Sequence, residues 1–117
     1  MTSEKTRKAL FKDYTKCHYM KVNAKGKILK DVKIDVEYVD LDKNGNVYVE
    51  WRFDTYSKLE STEVNVVRYA SYGYDGFDIE GVFTSKKEAL AIAAEWFNEE
   101  KKKKIAKLEA ELAELKK

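Results

Sequence analysis

Asp40, Asp42, Asn44, Gly45 and Asn46 stand in the order and spacing of positions 1, 3, 5, 6 and 7 of a calcium-binding loop. Oxygen donors at alternate positions let a hard cation collect its ligands from one short segment, and the glycine permits the sharp bend. The same chemistry needs a bidentate glutamate at position 12. That position is Trp51, and Glu50 falls one residue early. The flanks alternate like strands, where the loop requires helices. The stretch is therefore expected to be a turn and to hold no metal.

Nucleophilic and acid–base chemistry find little to work with. His18 is the only imidazole, and Cys17 precedes it. Adjacent side chains on a strand point to opposite faces, so the two form no Cys–His dyad within one chain. One Cys and one His also cannot build a zinc site without several carboxylates. Asp40/Asp42 and Asp78/Glu80 are spaced two apart, which on a strand is an ordinary solvent-facing pattern. The chain has neither GxxxxGK[ST] nor a GxGxxG that opens a helix, and its glycines are scattered through turns and strands. No enzyme, cofactor or nucleotide site is expected.

Recognition chemistry has one candidate. In "RYASYGYDGF", Arg68, Tyr69, Tyr72, Tyr74 and Phe77 gather around a predicted turn. Tyr and Arg supply rigid area with polar tips, and are enriched where proteins bind partners. The competing reading is that these rings cover the sheet beneath a helix. The segment does not satisfy the RRM signature.

The elements that would position these residues are legible in part. "DVKIDVEYV" alternates Val32, Ile34, Val36, Tyr38, and "VYVEWRF" alternates Val47, Val49, Trp51, Phe53. A two-residue period marks half-buried strands. Asn44-Gly45 between them predicts a two-residue type I′ hairpin turn. Pairing then places Tyr38 opposite Trp51, Val36 opposite Phe53 and Glu37 opposite Arg52. Asp75-Gly76 predicts a second hairpin from "EVNVVRYASY" and "FDIEGVF", with a bulge at Val66-Val67. "CHYMKV" and "KILKDV" around "NAKGK" predict a third. A short helix over residues 3–14, capped by Ser3, would bury Leu10, Phe11 and Tyr14. Ser85 and Glu88 form a capping box before a long C-terminal helix. Its first half should pack on the sheet through Leu90, Ala94 and Phe97, with Trp96 at the flank. Lys101 to Lys104 form a solvated stretch or a break. Its second half sets Ile105, Leu108, Leu112 and Leu115 at a/d spacing. That stripe needs cover, from the chain folding back or, as favoured here, from a second copy forming a homo-oligomer.

These readings give one α+β domain over residues 1–117. Residues 1–16 are an N-terminal segment, 17–84 an antiparallel sheet of hairpins, four to six strands in all, and 85–117 the helix. Hydrophobic residues at 44% and charged residues at 38% argue against disorder and against a membrane protein. One cysteine allows no internal disulfide and fits the cytoplasm. Residues 1–33 carry ten Lys/Arg against three Asp/Glu, while residues 34–85 carry four against eleven. Such segments can cancel in space or leave a basic face for nucleic acid. No family is recognised. The expected function is non-catalytic binding or sequestration of a protein or small anionic ligand, as in a phage-encoded inhibitor. The alternative is a nucleic-acid-binding accessory protein that uses the basic N-terminal segment.

Overall fold

The computed structural model describes residues 3–73 and 76–115. Ser3 caps the first helix, α1 (Glu4–Tyr14), by accepting the Thr6 backbone N–H at 3.2 Å. Six hairpin strands and a short seventh follow: β1 (His18–Asn23), β2 (Ile28–Lys33), β3 (Asp35–Leu41), β4 (Val47–Arg52), β5 (Glu60–Glu63), β6 (Arg68–Gly73) and β7 (Gly76–Phe83). The chain ends in α2 (Lys86–Leu115), with Ser85 Oγ accepting the Glu88 N–H. The class is α+β, as the sequence predicts.

The strands form two sheets where one was expected. One has the order β2-β1-β7-β6, the other β3-β4-β5. The run read as one strand from Val32 to Tyr38 breaks at buried Ile34, which closes β2 in the first sheet and opens β3 in the second. The chain crosses back at Val64 and Asn65. The Val64 N–H donates to Val47 in one sheet, and the Asn65 N–H donates to Val82 in the other. Asn65 takes the left-handed conformation, with φ 63°. The irregularity expected at Val66-Val67 is thus a change of sheet. The bulge itself lies between Tyr69 and Ser71.

Each face of the four-stranded sheet has its own cover. Met20, Val22, Ile79 and Phe83 lie under α2, against Ala89 and Ala93. Tyr19 and Val82, on the opposite face, join Val36, Val39, Val49 and Trp51 of the second sheet in a shared core. Leu10 and Tyr14 of α1 pack onto that core. Phe11, expected there too, is exposed.

The central hairpin is present, but its register is corrected. Val39 pairs with Val49 and Leu41 with Val47, so three residues, 43–45, turn between Asp42 and Asn46. Only Gly45 of the three has positive φ, at 81°, so the turn is not type I′. A bulge at Glu37 then shifts the pairing again, to Val36 with Trp51. Each extra residue reverses the in/out parity. Tyr38 therefore leaves the inner face, where it was expected opposite Trp51, and Val39 replaces it. Glu37 and Arg52 do meet, through two hydrogen bonds of 2.8 and 3.2 Å between guanidinium and carboxylate, although Arg52 pairs in register with Asp35.

Two expectations about α2 change. Ala94 is exposed, and the docked face runs through Ala89 and Ala93, with Leu90, Ile92, Trp96 and Phe97 partly buried. Lys101 to Lys104 remain helical, so α2 is continuous over 30 residues, about 45 Å. Every residue from 101 to 115 is exposed, and the long axis of the molecule is 62 Å. The distal half projects away from the sheets and does not fold back.

Candidate functional site

The β6–β7 hairpin presents chemistry on both faces, because neighbouring strand residues point oppositely. On the α2 side, Tyr69 packs edge to face on Phe77 and on Trp96, with ring centroids 5.1 and 4.9 Å apart. Trp96 in turn meets Phe97 at 5.1 Å. The Tyr69 hydroxyl donates to Glu100 at 3.2 Å, yet Tyr69 remains 55% exposed. A shallow hollow floored by Tyr69, Ala70, Ser71 and Phe77 opens beside it on β6, the terminal strand of its sheet.

Arg68 lies on the other face. Its Nε donates to Glu80 at 3.1 Å, and the Tyr19 hydroxyl donates to the same carboxylate. Loss of hydration, then the Glu80 carboxylate, drive the Tyr19 phenol far above its ordinary range. Beside this group is a cleft of about 160 Å³ where the two sheets meet, lined by Tyr19, Trp51, Val66, Arg68 and Val82. Trp51 donates its indole N–H to Thr62 at 2.9 Å, which fixes the ring as one wall. Glu63 contributes a carboxylate to the lining, while the Glu80 carboxylate beside the cleft is already bound by Arg68 and Tyr19.

The structure therefore splits the proposed Tyr/Arg cluster. Tyr69 and Phe77 share one aromatic group with Trp96, and Arg68 is turned away from them. Tyr74 and the side chain of Tyr72 lie outside the described residues. Sequence reasoning missed Tyr19, Thr62 and Glu63 at the cleft, and Glu80 beside it. The available signal was Gly81 within the apolar alternation of β7, since an interior strand glycine often marks close approach of another backbone. A Cβ at Gly81 would lie 2.7 Å from the Val66 carbonyl oxygen.

The remaining candidates have structural roles. Asp42 Oδ1 accepts the Asn44 and Asn46 N–H groups at 2.9 and 3.0 Å. Asn23 makes the same two contacts, to Lys25 and Lys27, in the β1–β2 turn. An uncharged side chain thus builds the same turn, and Asp42 spends its oxygen on backbone. Asp40 accepts the Tyr38 hydroxyl and the Leu41 N–H. Among the described residues no three His, Cys, Asp or Glu side chains are grouped to hold a metal ion. Cys17 is buried in the core, and desolvation raises its thiol to about 11. His18 is turned to Asp31, 2.7 Å away, with Lys86 also beside that carboxylate. A hollow between α1 and β3 is lined by Arg7 and Lys8 but also by Glu4 and Glu37, a mixed charge that suits no simple anion. No described helix is long and apolar enough to cross a membrane.

Comparison with known proteins gives no match among family models, curated proteins or solved structures.

Proposed function

We propose that the chain is a non-catalytic binding protein whose partner is another protein. The observation that carries this reading is the aromatic group of Tyr69, Phe77 and Trp96 at the β6 margin, with its one phenol, Tyr69, more than half exposed. Rigid rings beside hydrogen-bonding groups give contact area at small entropic cost. A small anion is the weaker choice of ligand, because Arg68 is already held by Glu80. Blocking or sequestering a target, as a phage-encoded inhibitor in a host cytoplasm does, is a role such a surface would serve. The exposed stripe on distal α2 supports a homo-oligomer.

The test is capture from lysate with the tagged chain at low and high salt, comparing the wild type with Tyr69→Ala. A protein retained at high salt by the wild type and lost by the variant, with unchanged circular dichroism, is the expected result. Recovery mainly of nucleic acid, released steeply by salt, would instead select the basic N-terminal segment. Equal capture by both chains would remove the aromatic group from the interface.

A further inference from the structure

The cleft at the junction of the sheets takes no part in the protein-binding reading above, and its construction points to a second site. The chain changes sheets at Val64 and Asn65, and that step is tied down on both sides. The Val64 N–H donates to Val47 at 2.9 Å and the Asn65 N–H to Val82 at 2.8 Å, while Asn65 Oδ1 accepts the Thr84 N–H at 3.4 Å. Val66 and Val67 run from this anchor into β6 at Arg68, so the segment is not free to settle onto Trp51 and Val82. The walls are equally fixed, by the indole bond from Trp51 to Thr62 and the phenol bond from Tyr19 to Glu80. We propose that this preformed cleft binds a small uncharged aromatic molecule of one ring.

Size limits the occupant. Sites for drug-sized ligands and cofactors run from about 300 to 1,000 Å³. The cleft has about 160 Å³, too little for a nucleotide or a peptide. Apolar cavities of about 150 Å³ take benzene, so a single ring with a small substituent is the matching volume.

Chemistry limits it further. Val66, Val67 and Val82 join the rings of Tyr19 and Trp51 around the space. The Trp51 N–H and the Tyr19 hydroxyl are already committed, so water held there would find few partners and an apolar group displaces it favourably. Charges beside the cleft come in both signs. Arg68 is held by Glu80 at 3.1 Å, Lys21 stands opposite Glu80 in register, and Glu63 completes the set. They favour neither an anion nor a cation, and a charged head would lose hydration without a matched partner. Tyr19 and Trp51 lie 5.9 Å apart at 30°, and fixed rings of this kind favour another ring in offset or edge contact. Val66, 51% exposed, forms the lip that a bound ring would cover.

The test is titration of the isotope-labelled full chain with benzyl alcohol, followed by the NMR shifts of its N–H groups. The amides of Val66, Val67, Arg68 and Gly81 and the Trp51 indole should move together and saturate, with a midpoint near about 1 mM for a ligand of about eight non-hydrogen atoms. Benzoate and benzylamine carry the same ring with a charge, and should need at least about fivefold more. Val66→Asp should raise the benzyl alcohol midpoint by a similar factor with circular dichroism unchanged, because Val66 is exposed. Val66→Ala, the milder change, should act in the same direction. An unchanged midpoint in both variants would overturn the site. So would shifts centred on Tyr69 and Phe77, or the absence of any saturable shift up to about 10 mM. Tighter binding of benzoate or of benzylamine than of benzyl alcohol would overturn the ligand class.

Discussion

Trp51 and Gly81 make the junction between the two sheets, in opposite ways. Trp51 fills it: its ring lies against Tyr19 and Phe53, with centroids 5.9 and 4.9 Å away, and is almost wholly buried. Gly81 makes room beside it: its missing side chain, on the α2 face of β7, lets the Val66 carbonyl come so close. Gly81→Ala sets a methyl against backbone that cannot rotate aside, so a loss of about 1–3 kcal/mol is expected. Urea denaturation would measure it, and an unchanged midpoint would mean that Val66 is not held there. Cys17 has a pH signature. Its folded thiol titrates at about 11 instead of the ordinary 9.0, because burial disfavours the thiolate. The unfolded chain therefore releases this proton first. Stability is intact below pH 9 and falls as pH rises from 9 toward 11, by at most about 2–3 kcal/mol from this group. Tyr19 is shifted in the same direction and adds to the loss at higher pH. Cys17→Ala should be less stable at neutral pH but show a flatter decline above pH 9. Parallel declines would assign the alkaline effect elsewhere.

Among the elements, the two three-residue turns are the same device written with different letters. Asn23 and Asp42 each accept two backbone N–H groups, and Gly26 and Gly45 each take positive φ near 80° three residues later. Asp42→Asn should consequently leave stability within about 0.5 kcal/mol. Asp42→Ala leaves two turn N–H groups without their acceptor and should cost about 1 kcal/mol. Calcium should not raise the melting temperature of either the wild type or Asp42→Asn. A rise in the wild type alone would return Asp40 and Asp42 to metal chemistry. This turn also measures what the sequence could convey. Asn-Gly signalled a hairpin correctly, and alternation located both strands. The dipeptide did not reveal that Asp42 would close the turn two residues earlier, because its carboxylate competes for the same backbone donors. Nor did alternation reveal the bulge at Glu37. Reading Tyr38 as inward was consistent with local pattern and fails only against the packing of Val39.

The scale of the whole molecule is where local pattern conveys least. Ile34 sits in an unbroken alternation from Val32 to Val36, and is buried as that alternation predicts. Yet the chain changes sheets there, because Tyr19 and Val82 need cover on the face that α2 leaves open. On the candidate site the same limit applies: a cluster read from ten consecutive residues is divided between two faces of a hairpin, and Trp96 on one face and Tyr19 on the other come from distant sequence. The shared core carries a consequence for unfolding. Trp51 reports the junction of the sheets, while Trp96 reports the packing of α2 on β6 and β7. If the sheets were independent units, the variants Trp51→Phe and Trp96→Phe, each retaining one indole, would give fluorescence transitions at different urea concentrations. Val64 and Asn65, however, donate to opposite sheets, and Tyr19, Val36, Trp51 and Val82 belong to one cluster. Opening the junction would expose buried apolar groups of both sheets at once, at about 25 cal/mol per Å². Each variant should therefore show its fluorescence transition coinciding with its own loss of circular dichroism. A fluorescence change at Trp96 preceding the loss of strand signal would show instead that α2 and the first sheet open before the junction does.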